Sequence, residues 1–136
     1  MLTISVDNET TASGDGIAVM RLDGELDAAT YLDVIGRARE LVDGGTTRML
    51  LDLSDLSYMG SSGLFALHSL AMLLRGEAAP DPEGGWGAMH QAEMRETAAE
   101  LKLLNPQPQV DRVLERTGMK RFFEVHVDRA AAIASF

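Results

Sequence analysis

Five consecutive residues, Met49-Leu50-Leu51-Asp52-Leu53, carry four apolar side chains with no polar alternation, between Gly44-Gly45 upstream and Ser54-Asp55 downstream. A run of strand length that is apolar on both sides of the pleat needs cover above and below, which places it in the middle of a sheet and ends it at Ser54-Asp55. A half-solvated hairpin cannot satisfy it, so other elements must pack on each side.

Helical periodicity stands on both flanks. Leu32, Ile35, Ala38, Leu41 and Val42 recur at helical spacing and predict a helix over 31–43. Thr30 with Asp33 resembles a capping box, and Gly44-Gly45 suits a left-handed C-cap. After the strand, Ser61-Ser62-Gly63 opens a second helical pattern through Leu64, Leu67, His68, Ala71, Leu74 and Arg75. Upstream, Leu2–Val6 and Ile17–Leu22 alternate like strands, the second closed by a turn at Asp23-Gly24, and the polar stretch from Asp7 to Asp15 joins them as a hairpin loop.

Downstream, the composition turns to proline, glycine and acids from Gly76 to about Ala98, which reads as a surface insertion with a short helix around Met89 to Ala99. Two readings of its Trp86, Met89 and Met94 stay open: a cap folded back on the domain, or an extra partner contact. Strand character returns over Leu101–Asn105, and Pro106 and Pro108 stop it before a helix carrying Val110, Val113 and Leu114 that ends at Thr117-Gly118. Phe122–Val127 makes a last strand, and Asp128 caps a short alanine-rich helix. The order ββαβαβαβα predicts an α/β fold, an α+β sandwich, in one domain over 1–136.

The chemistry this chain can perform is narrow. Its 21 acidic against 12 basic residues give a net charge of −9, which opposes phosphate backbones and anionic lipid, so neither nucleic acid nor membrane is an expected partner. No apolar run approaches a membrane span and the start lacks a signal-peptide pattern, which points to the cytoplasm. The absence of cysteine removes thiolate chemistry, and His68, His90 and His126 lie too far apart to pair on a helix, so no metal site or cofactor is expected. No nucleophile elbow or phosphate-binding glycine motif is present, so no catalytic residue emerges. Asp23, Glu25 and Asp27 lack the spacing of a calcium loop and read as turn, cap or partner-facing charges. An enzyme built on them would need a pocket and a perturbed carboxylate.

The Ser61-Ser62 pair is more particular, because hydroxyls at a helix start face backbone N–H groups that lack intrahelical acceptors. Two readings follow from this placement: a serine cap contributing about 1 kcal/mol, or a phosphorylation site beside the positive end of the helix dipole.

Three stretches together carry a resemblance: Leu22-Asp23-Gly24-Glu25-Leu26-Asp27, then Leu51-Asp52-Leu53-Ser54 to Met59-Gly60-Ser61-Ser62-Gly63-Leu64, then Leu104-Asn105-Pro106 to Val113-Leu114-Glu115-Arg116-Thr117-Gly118. In this order and spacing they resemble a STAS domain of the anti-sigma-factor antagonist family, over nearly the whole chain except the insertion. The resemblance implies a mixed sheet with helices packed mainly on one face. It also implies a non-enzymatic, cytoplasmic regulator of transcription that binds an ATP-using anti-sigma serine kinase and is phosphorylated by it, with a phosphatase as a further partner. Ser61 falls on the phosphoacceptor position, with Ser62 as the alternative, and Asp23, Glu25, Asp27, Gly60, Ser62 and Gly63 fall on the partner-binding surface. The family usually carries aspartate immediately before the serines, where this chain has Gly60. The alternative function is a STAS scaffold or binding module that is never phosphorylated.

Overall fold

The structure, a computed structural model, describes residues 1–11, 14, 16–77 and 98–136. Among the described residues are five strands, β1 (Leu2–Thr10), β2 (Gly16–Leu26), β3 (Met49–Met59), β4 (Ala98–Leu104) and β5 (Phe123–His126). Four α-helices accompany them: α1 (Tyr31–Asp43), α2 (Ser61–Leu74), α3 (Pro108–Arg116) and α4 (Arg129–Ala134). The strands form one mixed sheet in chain order, with β1 antiparallel to β2 and every later neighbour parallel. The apolar run of β3 takes the central place its composition requires.

A period of two divides the buried side chains between the faces of the sheet. Met20, Leu22, Leu51, Leu53, Leu101 and Leu103 enter the main core with α1, α2 and α3, while Ile17, Val19, Leu50 and Leu104 point the other way, under Ala132 of α4. Three helices thus pack on one face and the short terminal helix on the other. Lys102, between Leu101 and Leu103, also points toward α4 and is only 3% exposed. Its Nζ donates to the Ser135 carbonyl and hydroxyl at 2.8 Å, pairs with Glu124 at 3.0 Å and lies over the Phe136 ring. A buried ammonium needs such partners to offset its lost hydration.

Several element ends differ from the sequence reading. The segment read as a loop from Asp7 is strand as far as Thr10, paired with Gly16 in an unbroken register from Leu2↔Gly24. Asp23-Gly24 lies inside β2 and is not a closing turn: both residues pair with β1 and β3, and Gly24 has φ +122, where a Cβ would collide with the Met1 carbonyl oxygen. Glycine suits a turn and a close backbone approach equally, so the residue alone cannot tell them apart. Likewise β3 continues through Ser54-Asp55 to Met59, because β2 runs alongside it until Leu26.

Leu32 was expected on the inner face of the first helix but is 52% exposed, and Val34 with Ile35 and Ala38 fills the core instead. Thr30 makes no cap of the expected kind, since its hydroxyl turns back to the Glu25 carbonyl. Ala98 and Ala99 belong to β4 and so cannot end the helix expected from Met89. The rest of that helix, with Trp86, Met89 and Met94, lies outside the described residues. Where local chemistry is decisive the ends agree: Pro108 opens α3, Gly118 follows it at φ +76, and Asp128 accepts from the Ala131 N–H at 3.0 Å.

Candidate functional site

Parallel strands share an orientation, so the carboxyl ends of β2 and β3 lie together at one end of the sheet, where the turns into α1 and α2 leave it. The two turns are tied to each other. Glu25 pairs with Tyr58 and Leu26 with Met59, the Gly60 N–H donates to the Leu26 carbonyl at 3.0 Å, and Ser57 Oγ donates to the Gly24 carbonyl at 2.9 Å. Ser61 therefore stands beside the loop that begins at Asp27.

That loop is held from inside. Thr30 is buried; its Oγ1 donates to the Glu25 carbonyl at 2.9 Å and accepts from the Asp27 N–H at 3.0 Å. Asp27 Oδ1 accepts from the Ala29 N–H at 2.9 Å, and the Asp27 carbonyl accepts from the N–H groups of Thr30 and Tyr31. Asp27 is thus occupied within its own turn, an aspartate-turn geometry. Asp23 and Glu25 are exposed on β2, and Asp23 stands opposite Asp55 in the register. Asp55 is paired with Arg21, whose guanidinium it holds above the usual arginine value, first by the hydrogen bond and then by charge.

Ser61 is the first residue of the 14-residue helix α2, with Gly60 in the N-cap place. No side chain caps this end and no acid lies in its first turn, so the serine-cap reading does not hold: glycine offers no side chain and the serine begins one position too late. Ser61 is exposed, Ser62 half-buried, and Gly63 buried. A Cβ on Gly63 would stand 2.6 Å from Met59 Cγ and 3.1 Å from Leu26, so the absent side chain lets the first turn of α2 rest on the strand ends. Gly60, at φ −91, needs no glycine for its backbone; a Cβ there would meet the Tyr58 hydroxyl at 3.2 Å.

The structure brings Glu25, Asp27, Gly60, Ser61, Ser62 and Gly63 to this end, and leaves Asp23 farther back along β2. Beyond Asp52, β3 has no ladder with β4, and two glutamines close that edge: Gln107 Nε2 donates to the Ser54 carbonyl at 2.7 Å, and Gln109 Oε1 accepts from the Met59 N–H at 3.0 Å. Sequence reasoning missed them; their signal is two amide side chains alternating with Pro106 and Pro108 after a strand. It missed Tyr58 and Leu32 as well, both exposed at this same end.

A cavity of about 440 Å³ lies at the opposite end, lined by Asn8, Thr10, Ala18, Thr46 and Arg48 among others, and includes none of these site residues. Among the described residues no three histidine, aspartate or glutamate side chains gather to hold a metal ion. No described helix is long and apolar enough to cross a membrane.

A sequence model of the STAS domain matches residues 10–78. A protein of Bordetella bronchiseptica named as an anti-sigma factor antagonist, BtrV, is 28% identical over 122 residues, covering 90% of this chain and 88% of its own. A solved anti-sigma factor antagonist from Mycobacterium paratuberculosis superimposes with a TM-score of 0.67 at 18% identity, covering 99% of this chain and 93% of that one. The Bacillus cell fate determinant SpoIIAA, solved in its phosphorylated form, gives a TM-score of 0.61 at 20% identity over 96% of each chain.

Proposed function

The chain belongs to the STAS domain family, and from that premise we propose that it is an anti-sigma factor antagonist, which binds an anti-sigma serine kinase and is released when Ser61 is phosphorylated. The observation that carries the proposal is the exposed Ser61 at the uncapped start of α2, on the end of the sheet where two loops meet. A phosphate there adds about −1.5 to −2 charges beside unpaired backbone N–H groups, and the helix dipole returns about 0.3–1 kcal/mol, so the fold accommodates it. A partner closing over the same surface must desolvate that charge at a cost of several kcal/mol. About 2.7 kcal/mol is a hundredfold in dissociation constant, so the same modification leaves the domain folded and releases the partner.

Two comparisons support this reading: the relative named as an antagonist, and a protein of similar fold that holds a phosphorylated state. Ser61 is favoured over Ser62 by exposure, since a kinase must reach the hydroxyl. The protein serves as a substrate and not as an enzyme, the kinase draws its phosphate from ATP in the cytoplasm, and a phosphatase restores the binding form. The outcome is control of transcription through the sigma factor that the kinase would otherwise hold.

The test uses each anti-sigma serine kinase encoded in the same genome, purified and loaded with nucleotide. Unmodified protein should bind one of them and become phosphorylated on Ser61 by peptide mapping. Ser61→Ala should bind without accepting phosphate, Ser61→Asp should bind more weakly, and Ser62→Ala should still be modified. Phosphate on Ser62 alone would move the acceptor. Binding with neither serine modified would replace the switch by the scaffold function.

A further inference from the structure

Single exposed apolar residues are ordinary on a protein surface; several gathered at one place are not. Among the described residues four large apolar side chains are exposed, and two of them, Leu32 at 52% and Tyr58 at 44%, stand at the end of the sheet that carries Ser61. Met1 is terminal, and Val127 follows β5 at the far edge. Leu32 is next to Tyr31, whose ring meets that of Phe65 in α2 edge-on at 6.0 Å, so the start of α1 lies against the second turn of α2. Tyr58 places its hydroxyl over Gly60, the residue before Ser61. Ala28 and Ala29 are exposed in the loop leading into α1.

Neither side chain belongs to the apolar core. Val34, Ile35 and Ala38 supply the inner face of α1, and Leu56 and Met59 fill the core on either side of Tyr58. Exposed carboxylates stand beside the two exposed side chains: Glu25 opposite Tyr58 in the register, and Asp33 next to Leu32.

We infer that Leu32 and Tyr58, at the same end of the sheet, are two separate hydrophobic anchors for a protein partner that offers apolar surface rimmed by arginine and lysine. Buried aromatic side chains carry much of the energy of such interfaces while apolar neighbours exclude water, and opposite charge around them fixes register and speeds association. A second copy of this chain does not fit, because it would set one acidic rim against another on a protein of net charge −9. The inference rests on the proposed partner-switching function and deepens it by stating what the partner must present. It also says how the phosphate acts: a dianion on Ser61 brings bound water to the Tyr58 ring, and the apolar surface that must close on that ring cannot stay dry.

Isothermal titration of wild-type protein, Leu32→Ser, Tyr58→Ala and Val127→Ser against the nucleotide-loaded anti-sigma kinase of the same genome tests this. Both site residues are exposed, so the variants should keep the wild-type melting temperature. Tyr58→Ala should raise the dissociation constant about thirtyfold and Leu32→Ser about tenfold, with Val127→Ser unchanged. Stopped-flow association should slow about tenfold or more between low and high salt. If wild-type binds and both site variants bind equally well, the anchors are wrong and the partner-switching function stands. If association is indifferent to salt, the basic rim is wrong. If wild-type binds none of the kinases, the function falls and takes the anchors with it.

Discussion

At Gly63 a methyl group would meet Met59 Cγ at 2.6 Å and Leu26 at 3.1 Å, and both neighbours are fully buried. Alanine is the better helix former by about 1 kcal/mol, while overpacking a filled core costs about 1–3 kcal/mol, so Gly63→Ala should lower stability in spite of its propensity. A urea midpoint equal to or above wild type would show that α2 can lift off the strand ends freely. Farther along the same helix, His68 is 3% exposed and its Nε2 has no hydrogen-bond partner. Burial, then the Arg75 charge, holds its imidazole below the ordinary value, with Glu77 pulling the other way. In the unfolded chain the same ring takes a proton near pH 6.5. Its part of the stability is therefore fully present above about pH 6.5 and is lost as the pH falls from there through the lower folded value. Urea titrations at pH 7.5 and 5.5 should show this loss, and His68→Leu should reduce it; an identical pH dependence in the variant would assign the loss to other groups.

At the scale of elements, the outer half of β3 depends on α3. Its N-terminal residues pair with β4 only as far as Asp52, and beyond that the amides of Gln107 and Gln109 stand in for a neighbouring strand. Removing the Gln109 side chain leaves the Met59 N–H without its acceptor, at a cost of about 1–3 kcal/mol for a group not freely hydrated. Gln109→Ala should accordingly speed hydrogen exchange at Met59 and Gly60 while Leu50 and Leu51 keep their protection. Equal exchange at Met59 in both proteins would mean that β2 alone holds this end. The effect reaches Ser61 because the same strand end leads directly into α2. On the opposite face, Lys102 ties α4 to the sheet through Ser135, and its hydrogen bond holds the Glu124 carboxyl below its usual value. Both ties are made by long polar side chains crossing between elements, which no periodicity reveals.

Across the whole molecule, order and kind of element were legible in the sequence because they rest on local chemistry. The pattern of Leu2–Val6 and Ile17–Leu22, the helix over 31–43, the central place of Met49–Leu53 and the caps at Pro108, Gly118 and Asp128 each depend on a few consecutive residues. The start of α2 at the serine pair was legible for the same reason, and with it half of the candidate site. The other half was not. Whether Asp23-Gly24 closes the strand or lies within it, whether β3 stops at Ser54 or continues to Met59, and whether Leu32 faces in or out depend on which segment lies alongside. The ties that set these ends, such as Ser57 to Gly24, join residues 33 apart in the chain. Local propensity fixes the conformation a segment favours, and the sequence carries that by itself. Where a strand ends and which side chain is left for a partner are decided by the free energy of pairing distant segments, and only the tertiary structure expresses it.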